Sequence, residues 1–405
     1  MNRTGQTLTL GSDILFDATY LGSTSGGRLT LTAGVVDASS RTLTFITGNT
    51  PLARTSGTLT TSNTTSLIFG TTGNLGGNSF TIPASFFTTS PTVNNFTINR
   101  NNSLALSQGL EVQGALTLTS GALAIGAGNL LNLNGASLTT TSGTLTGSST
   151  SDLIVTGTTG GTVTIPNAIT LRTVTISGTR TLALNGTNDL ALNGALTIAS
   201  AATFDNGGES QITNPNSTAS IVINGRFITR DAQGFNGSST AIVESITPIL
   251  NSGSTVEYGL AGTQIITTGM NYLNLRISGS GTKTPSNATT ISDTLFITGS
   301  AILDASNNTV GGTNTNITMT GNSRFIVGGS GTRPAANGTY SLANTSTIEF
   351  TGASAKSIRQ ITYGNIDVSG SAVSAPASGL TLQIGSTFTV TSTGTLFVTS
   401  INGLY

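Results

Sequence analysis

The chain has 405 residues, with 15 Lys and Arg against 15 Asp and Glu, a formal net charge of zero, and neither His nor Cys. That composition removes the common zinc sites, Cys nucleophiles, Ser-His-Asp triads and haem ligation. The few cations are scattered singly, which leaves no basic patch for nucleic acid and no polybasic segment for a membrane surface.

Low charge does not imply disorder here, because the chain is saturated with Thr, Val and Ile in alternation, whereas disordered chains are poor in β-branched residues. The first twenty residues, MNRTGQTLTLGSDILFDATY, hold no apolar signal-peptide core. No later run approaches the roughly eighteen apolar residues of a membrane span. The expectation is a mature or excised piece of a longer secreted protein, with a cytoplasmic chain as the alternative. Disulfides contribute nothing, so packing and hydrogen-bond ladders have to supply the stability.

Taken in chain order, the predicted elements are all strands. LTLTAG (29–34), RTLTF (41–45), GALTLTSGAL (114–123), GTLTG (143–147), TVTIP (162–166) and GALTIAS (194–200) alternate with period two. Such alternation sends one row of side chains inward and one outward. Thr suits the outward row, since its branched carbon favours the extended backbone and its hydroxyl faces water. The runs end at Gly, Asn, Ser or Pro, as turn chemistry requires. No stretch carries a helical apolar face, so essentially no helix is expected.

A longer recurrence overlies this pattern. SLIF (66–69), DLIV (152–155), TVEY (255–258) and TIEF (347–350) open four units. NFTINR (95–100), TVTISG (173–178), NLRISG (274–279) and NIDVSG (365–370) answer them, and a third strand follows from 114, 194, 293 and 386. The units fall at about 56–135, 142–208, 251–312 and 342–398. A sub-period near twenty residues predicts an all-β parallel β-helix (β-solenoid) of about twenty coils, continuous over 1–405. The alternative is a string of tandem β-sandwich modules. Variable unit length, the absence of Trp and the lack of Pro-rich linkers weigh against it.

The least repetitive stretch, 205–250, holds the densest charge: Asp205, Glu209, Arg226, Arg230, Asp231 and Glu244. It reads as an irregular excursion between units. Parallel β-helices often act on polysaccharides, which makes paired carboxylates worth testing. Asp205 and Asp304 occupy matching places (ATFDNGG, AILDASN), as do Glu257 and Glu349. Recurrence in successive units points to a structural role, because a catalytic pair belongs in one cleft. No calcium-repeat or EF-hand spacing occurs; Asp13 with Asp17, or Asp205 with Glu209, are the candidate carboxylate ligands. Neither a metal nor a cofactor is expected. The Gly-rich pieces GTTGNLGGN (70–78) and GTTGGT (157–162) lack the Lys of a phosphate loop and read as turns. The outward T-x-T rows lack the strict coil regularity of an ice-binding array.

The strings at 251–284 and 289–312, together with GTYSLANTSTIEF (338–350), resemble the repeats of very large surface proteins of the Bacteroidota. That family includes gliding-motility adhesins and other cargo of the type IX secretion system. The resemblance covers the third and fourth units well and the first half more loosely. It implies an extracellular, cell-surface chain of stacked β-rich repeats serving adhesion, gliding or filament formation. It also implies glycosylation of Thr or Ser after Asp, which makes Thr294 in DTL (293–295) a candidate. No terminal sorting domain of that family is recognised before Tyr405, so an internal fragment or a removed ending is expected, with continuation into more repeats or head-to-tail contact with further copies. The function expected is that of a non-catalytic structural or adhesive protein forming a stiff stalk or surface filament. A surface glycan or cell-surface target is the expected partner, and neither nucleic acid nor membrane insertion is expected. The alternative is a polysaccharide-acting β-helix hydrolase or lyase shaped by the 205–250 excursion.

Overall fold

Alternating Thr with Leu, Ile or Val leaves each strand one apolar edge, and that edge has to be buried against something. The structure, a computed structural model, buries it on the next turn of the same chain. It describes residues 2–17, 28–46, 50–70, 78–89, 91–328, 337–352, 356–370, 373–374, 383–390 and 396–397. Among these there is no helix, and every strand ladder is parallel. The fold is a parallel β-solenoid of about 15 turns. This is fewer than the twenty coils expected from a twenty-residue period. Paired residues one turn apart are often more than twenty positions apart, as in Leu67↔Phe96 and Phe227↔Val256. Wide corners and the insertion before residue 255 consume the difference.

The chain divides into two compact units, Met1–Phe204 with Ser210–Ile221, and Asp205–Glu209 with Val222–Tyr405. In the first unit the main sheet runs through Ile14–Asp17, Thr42–Ile46, Ser66–Gly70, Thr92–Asn99, Leu110–Ser120, Leu130–Asn134, Asp152–Thr156, Thr173–Ile176 and Ala195–Ile198. A second sheet of short strands includes Leu104–Ala105, Ala122–Ala124 and Thr144–Thr146. Inward side chains stack in register: Leu131, Leu153, Val174 and Leu196 are all inaccessible to solvent. Phe16, Phe45, Phe69 and Phe96 form an aromatic column with ring centroids 4.7, 5.1 and 5.5 Å apart. Each buried aliphatic contributes about 1.5–3 kcal/mol before entropy, and each ring pair about 0.5–1.5 kcal/mol more.

In the second unit one sheet carries Arg226–Thr229, Thr255–Tyr258, Asn271–Ile277, Thr290–Ile297, Asn316–Met319 and Tyr340–Leu342. Another carries Gln264–Ile266, Thr282–Pro285, Ile302–Asp304, Arg324–Val327, Thr347–Phe350, Asn365–Val368 and Phe388–Val390. Between Thr255–Tyr258 and Thr347–Phe350 their strands alternate along the chain, so each turn there contributes to both.

The opening, answering and third strands of all four sequence units lie directly on one another. Ser66 pairs with Asn95 and Asn95 with Ala115; Asp152 pairs with Thr173, and Val174 with Leu196. Thr255 pairs with Asn274 and Asn274 with Thr294; Thr347 pairs with Asn365, and Ile366 with Phe388. Each opening strand is entered through a tight turn that ends in a buried hydroxyl residue. The N–H groups of Thr65, Ser151, Ser254 and Ser346 return to the carbonyls of Ser62, Ser148, Asn251 and Ala343. All four side chains are almost wholly buried. The Thr65 and Ser151 hydroxyls donate to Ala38 O and Ile125 O of the preceding turn, at 3.0 and 2.6 Å. These two buried hydroxyls are tolerated because each has a carbonyl partner.

Three of the four answering strands end in Ser-Gly, and in the second and third units the glycine has a steric reason. Gly178 and Gly279 have φ of +64° and +71°, and a Cβ would stand 2.1 Å from Gly157 O and 2.5 Å from Leu260 O. Only glycine combines that backbone with so close an approach.

Candidate functional site

Inward positions that hold polar residues are the first place to look for chemistry. Lys283 pairs with Gln264 and Leu303 on inward positions and is fully buried. Its ammonium donates to the carbonyls of Leu260 (2.7 Å), Gly262 (3.1 Å) and Ser280 (2.6 Å). Three N–H donors meet three acceptors at a glycine-rich corner. Burial pushes the amine down to about 8. Gln264 does the same task one turn earlier, donating to Thr229 O and Asp231 O at 3.1 and 2.8 Å. In the first unit the buried Arg180 donates to Gly135 O, Gly160 O and Ala136 O. Its guanidinium is lowered by burial. These cations act as internal clamps on corner carbonyls.

Tyr258 and Tyr272 form a second buried polar group. Their hydroxyls are 2.8 Å apart; Thr267 N donates to Tyr258 Oη at 2.9 Å, and Tyr272 Oη donates to Thr267 O at 2.6 Å. Both phenolic protons are thereby committed. Desolvation pushes Tyr258 up to about 12 and Tyr272 well above its ordinary value.

Several of the outward carboxylates singled out in the sequence are engaged locally, whereas Glu209 and Glu244 are exposed. Asp205 and Asp304 each accept the backbone N–H two residues on, from Gly207 (2.9 Å) and Ser306 (2.8 Å), and Asp37 does the same with Ser39. They close Asx-type turns at strand exits. Asp205 is also gripped by the Arg230 guanidinium through Nε and Nη2 at 2.9–3.0 Å, which raises the arginine further. Asp13 accepts Thr42 N at 2.8 Å. In the first unit Arg172 binds Asp152 on the neighbouring strand, and that contact holds the carboxyl below its usual range.

Glu257 and Glu349 turn out to belong to a duplicated three-strand cassette. RFIT (226–229), TVEY (255–258) and NLRISG (274–279) form the first, on one sheet of the second unit. RFIV (324–327), TIEF (347–350) and NIDVSG (365–370) form the second, on the other sheet, in the same register. Arg226 and Arg276 lie 2.7 and 3.7 Å from Glu257, while Ser278 donates to it at 2.5 Å. Arg324 lies 2.7 Å from Glu349 and 2.9 Å from Asp367, while Ser369 donates to Glu349 at 3.2 Å. The RFI strand lies outside the opening, answering and third strands of the sequence units. Its repeat, preceding TVEY and TIEF at similar distances, was the signal that would have revealed it.

Residues 230–248, within the expected excursion, fold back on themselves as a hydrogen-bonded loop. Asn236 and Gly237 pair in parallel with Ile242 and Val243, and Asn236 Nδ2 donates to Ile242 O, Val243 O and Ile246 O at 2.8–3.2 Å. Phe235, Ala241, Ile242 and Ile246 are buried. Asp231 is buried too, raised by that burial, and accepts Gln233 N at 2.8 Å. Thr294 lies on the outward side of Thr290–Ile297, half-exposed, its hydroxyl donating to Asp293 at 3.1 Å.

Among the described residues, no group of three or more His, Cys, Asp or Glu is placed to hold a metal ion. No helix among them is long and apolar enough to cross a membrane. No family model matches the chain, and no curated protein or solved structure matches it either.

Proposed function

We propose that the chain is a non-catalytic structural and adhesive protein of the cell surface, whose stacked turns form a stiff stalk or filament element. The observation that supports this most is where its charges are spent. Glu257 and Glu349 are tied to arginines on adjacent turns, Asp205 and Asp304 close turns, and Lys283 and Arg180 neutralise corner carbonyls. The reactive side chains hold one turn to the next. Self-association or continuation into further repeats fits the near-zero net charge, which opposes contact between copies only weakly. The resemblance to Bacteroidota surface repeats supports a location outside the cell, with a surface glycan or cell-surface target as the partner and Thr294 as a candidate glycosylation position.

Negative-stain electron microscopy of the purified chain tests the structural half, and release of reducing or unsaturated ends from a polysaccharide panel tests the other. Slender rods with no released ends are expected. Beads on tethers, or reproducible cleavage of a glycan, would overturn the proposal in favour of separate modules or a β-helix enzyme.

A further inference from the structure

The two cassettes share a backbone register and differ in the charge they leave over. In the first, two guanidiniums share one carboxylate: Arg226 and Arg276 cover Glu257, whose side chain is only 6% exposed against 41% and 32% for the arginines. In the second, two carboxylates share one guanidinium: Arg324 sits between Glu349 and Asp367. The exchange is made at one position, Arg276 opposite Glu257 in the first and Asp367 opposite Glu349 in the second. One cassette presents net positive charge and the other net negative charge, in a chain where only 7% of residues are charged.

We infer that the two cassettes are complementary docking faces between copies of this chain, the Arg226/Arg276 face of one copy meeting the Glu349/Asp367 face of the next. The inference rests on the self-associating reading above and names its surfaces. Both faces are sheet surfaces with the same strand spacing, so opposite residual charges are presented at matching intervals. The cassettes belong to different sheets, so one contact leaves the second cassette of each copy open. A heterologous contact of this kind propagates instead of closing on itself. Exposed ion pairs are individually weak, so the charges select the partner face and its register while the bulk of the affinity comes from the sheet surfaces around them.

Charge reversal provides the test. Arg276→Asp makes both cassettes net negative, Asp367→Arg makes both net positive, and the double variant exchanges the two patterns. Sedimentation velocity on the full chain at low ionic strength reads association, with circular dichroism confirming that each variant is folded. The wild type is expected to associate reversibly and to dissociate as salt is raised. Each single variant should associate about fivefold more weakly or worse. The double variant should recover, and an equimolar mixture of the two single variants should associate more tightly than either does alone. The milder Arg276→Gln and Asp367→Asn variants serve if a reversal unfolds the sheet. A wild type that stays monomeric, or a mixture no stronger than its components, overturns the inference. A monomeric wild type that is still rod-like leaves the structural reading standing.

Discussion

At the residue scale the buried polar groups decide behaviour, because each is satisfied only by a particular neighbour. The Tyr258–Tyr272 pair stays neutral in the fold while the unfolded chain ionises near pH 10, and Tyr258 resists to about 12. The unfolded state then binds fewer protons than the folded state, so stability is full below pH 10 and falls as pH rises through that window. A loss on the order of 3 kcal/mol by pH 12 is expected from Tyr258, read by urea denaturation across pH 8–12. A Tyr258→Phe, Tyr272→Phe double variant should show a flatter profile; an unchanged slope would refute the assignment. Lys283→Met should cost about 2–4 kcal/mol by leaving the carbonyls of Leu260 and Gly262 without the donor that the ammonium supplies. If its thermal midpoint equals that of the wild type, the clamp has no energetic role.

At the element scale the alternation of Thr with aliphatics was enough to place the inward rows, because period two leaves no freedom once one face is buried. Val174, Leu196, Leu275 and Leu295 all point where the pattern put them. The same rule misleads in TKTP (282–285). There Lys283 occupies the inward position, and a sequence reading assigns a lone lysine to water. Its partners are backbone carbonyls on the preceding corner, and nothing in a residue string reports a convergent set of carbonyls. The buried hydroxyl before each opening strand was legible in principle, since Thr65, Ser151, Ser254 and Ser346 immediately precede SLIF, DLIV, TVEY and TIEF. Its meaning was not, because Ser and Thr are equally common in exposed turns. Ser151→Ala should remove about 1–2 kcal/mol, stripping Ile125 O and Ser148 N–H of a partner, whereas the exposed Ser149→Ala should change stability by less than about 0.5 kcal/mol. Equal melting points for the two variants would show that the hydroxyl is dispensable.

At the scale of the molecule the stacking makes each turn depend on its immediate neighbours, which is the energetics of a repeat array. The turn count was overestimated from sequence because the interval near twenty measures a tight coil, while corners such as 230–254 add residues without adding a turn. Nearest-neighbour coupling has a spatial signature. Leu153 is inaccessible to solvent and pairs with Leu131 before it and Val174 after it. Leu153→Ala should destabilise the first unit by about 2–5 kcal/mol, because the rigid turns above and below cannot collapse into the vacated space. Hydrogen exchange followed by mass spectrometry should show faster exchange across 130–134, 152–156 and 173–176. Peptides covering 290–327 in the second unit should keep their wild-type rates. Loosening that spreads evenly over the chain would mean that it unfolds as one cooperative body, and that stacked turns are not its unit of stability.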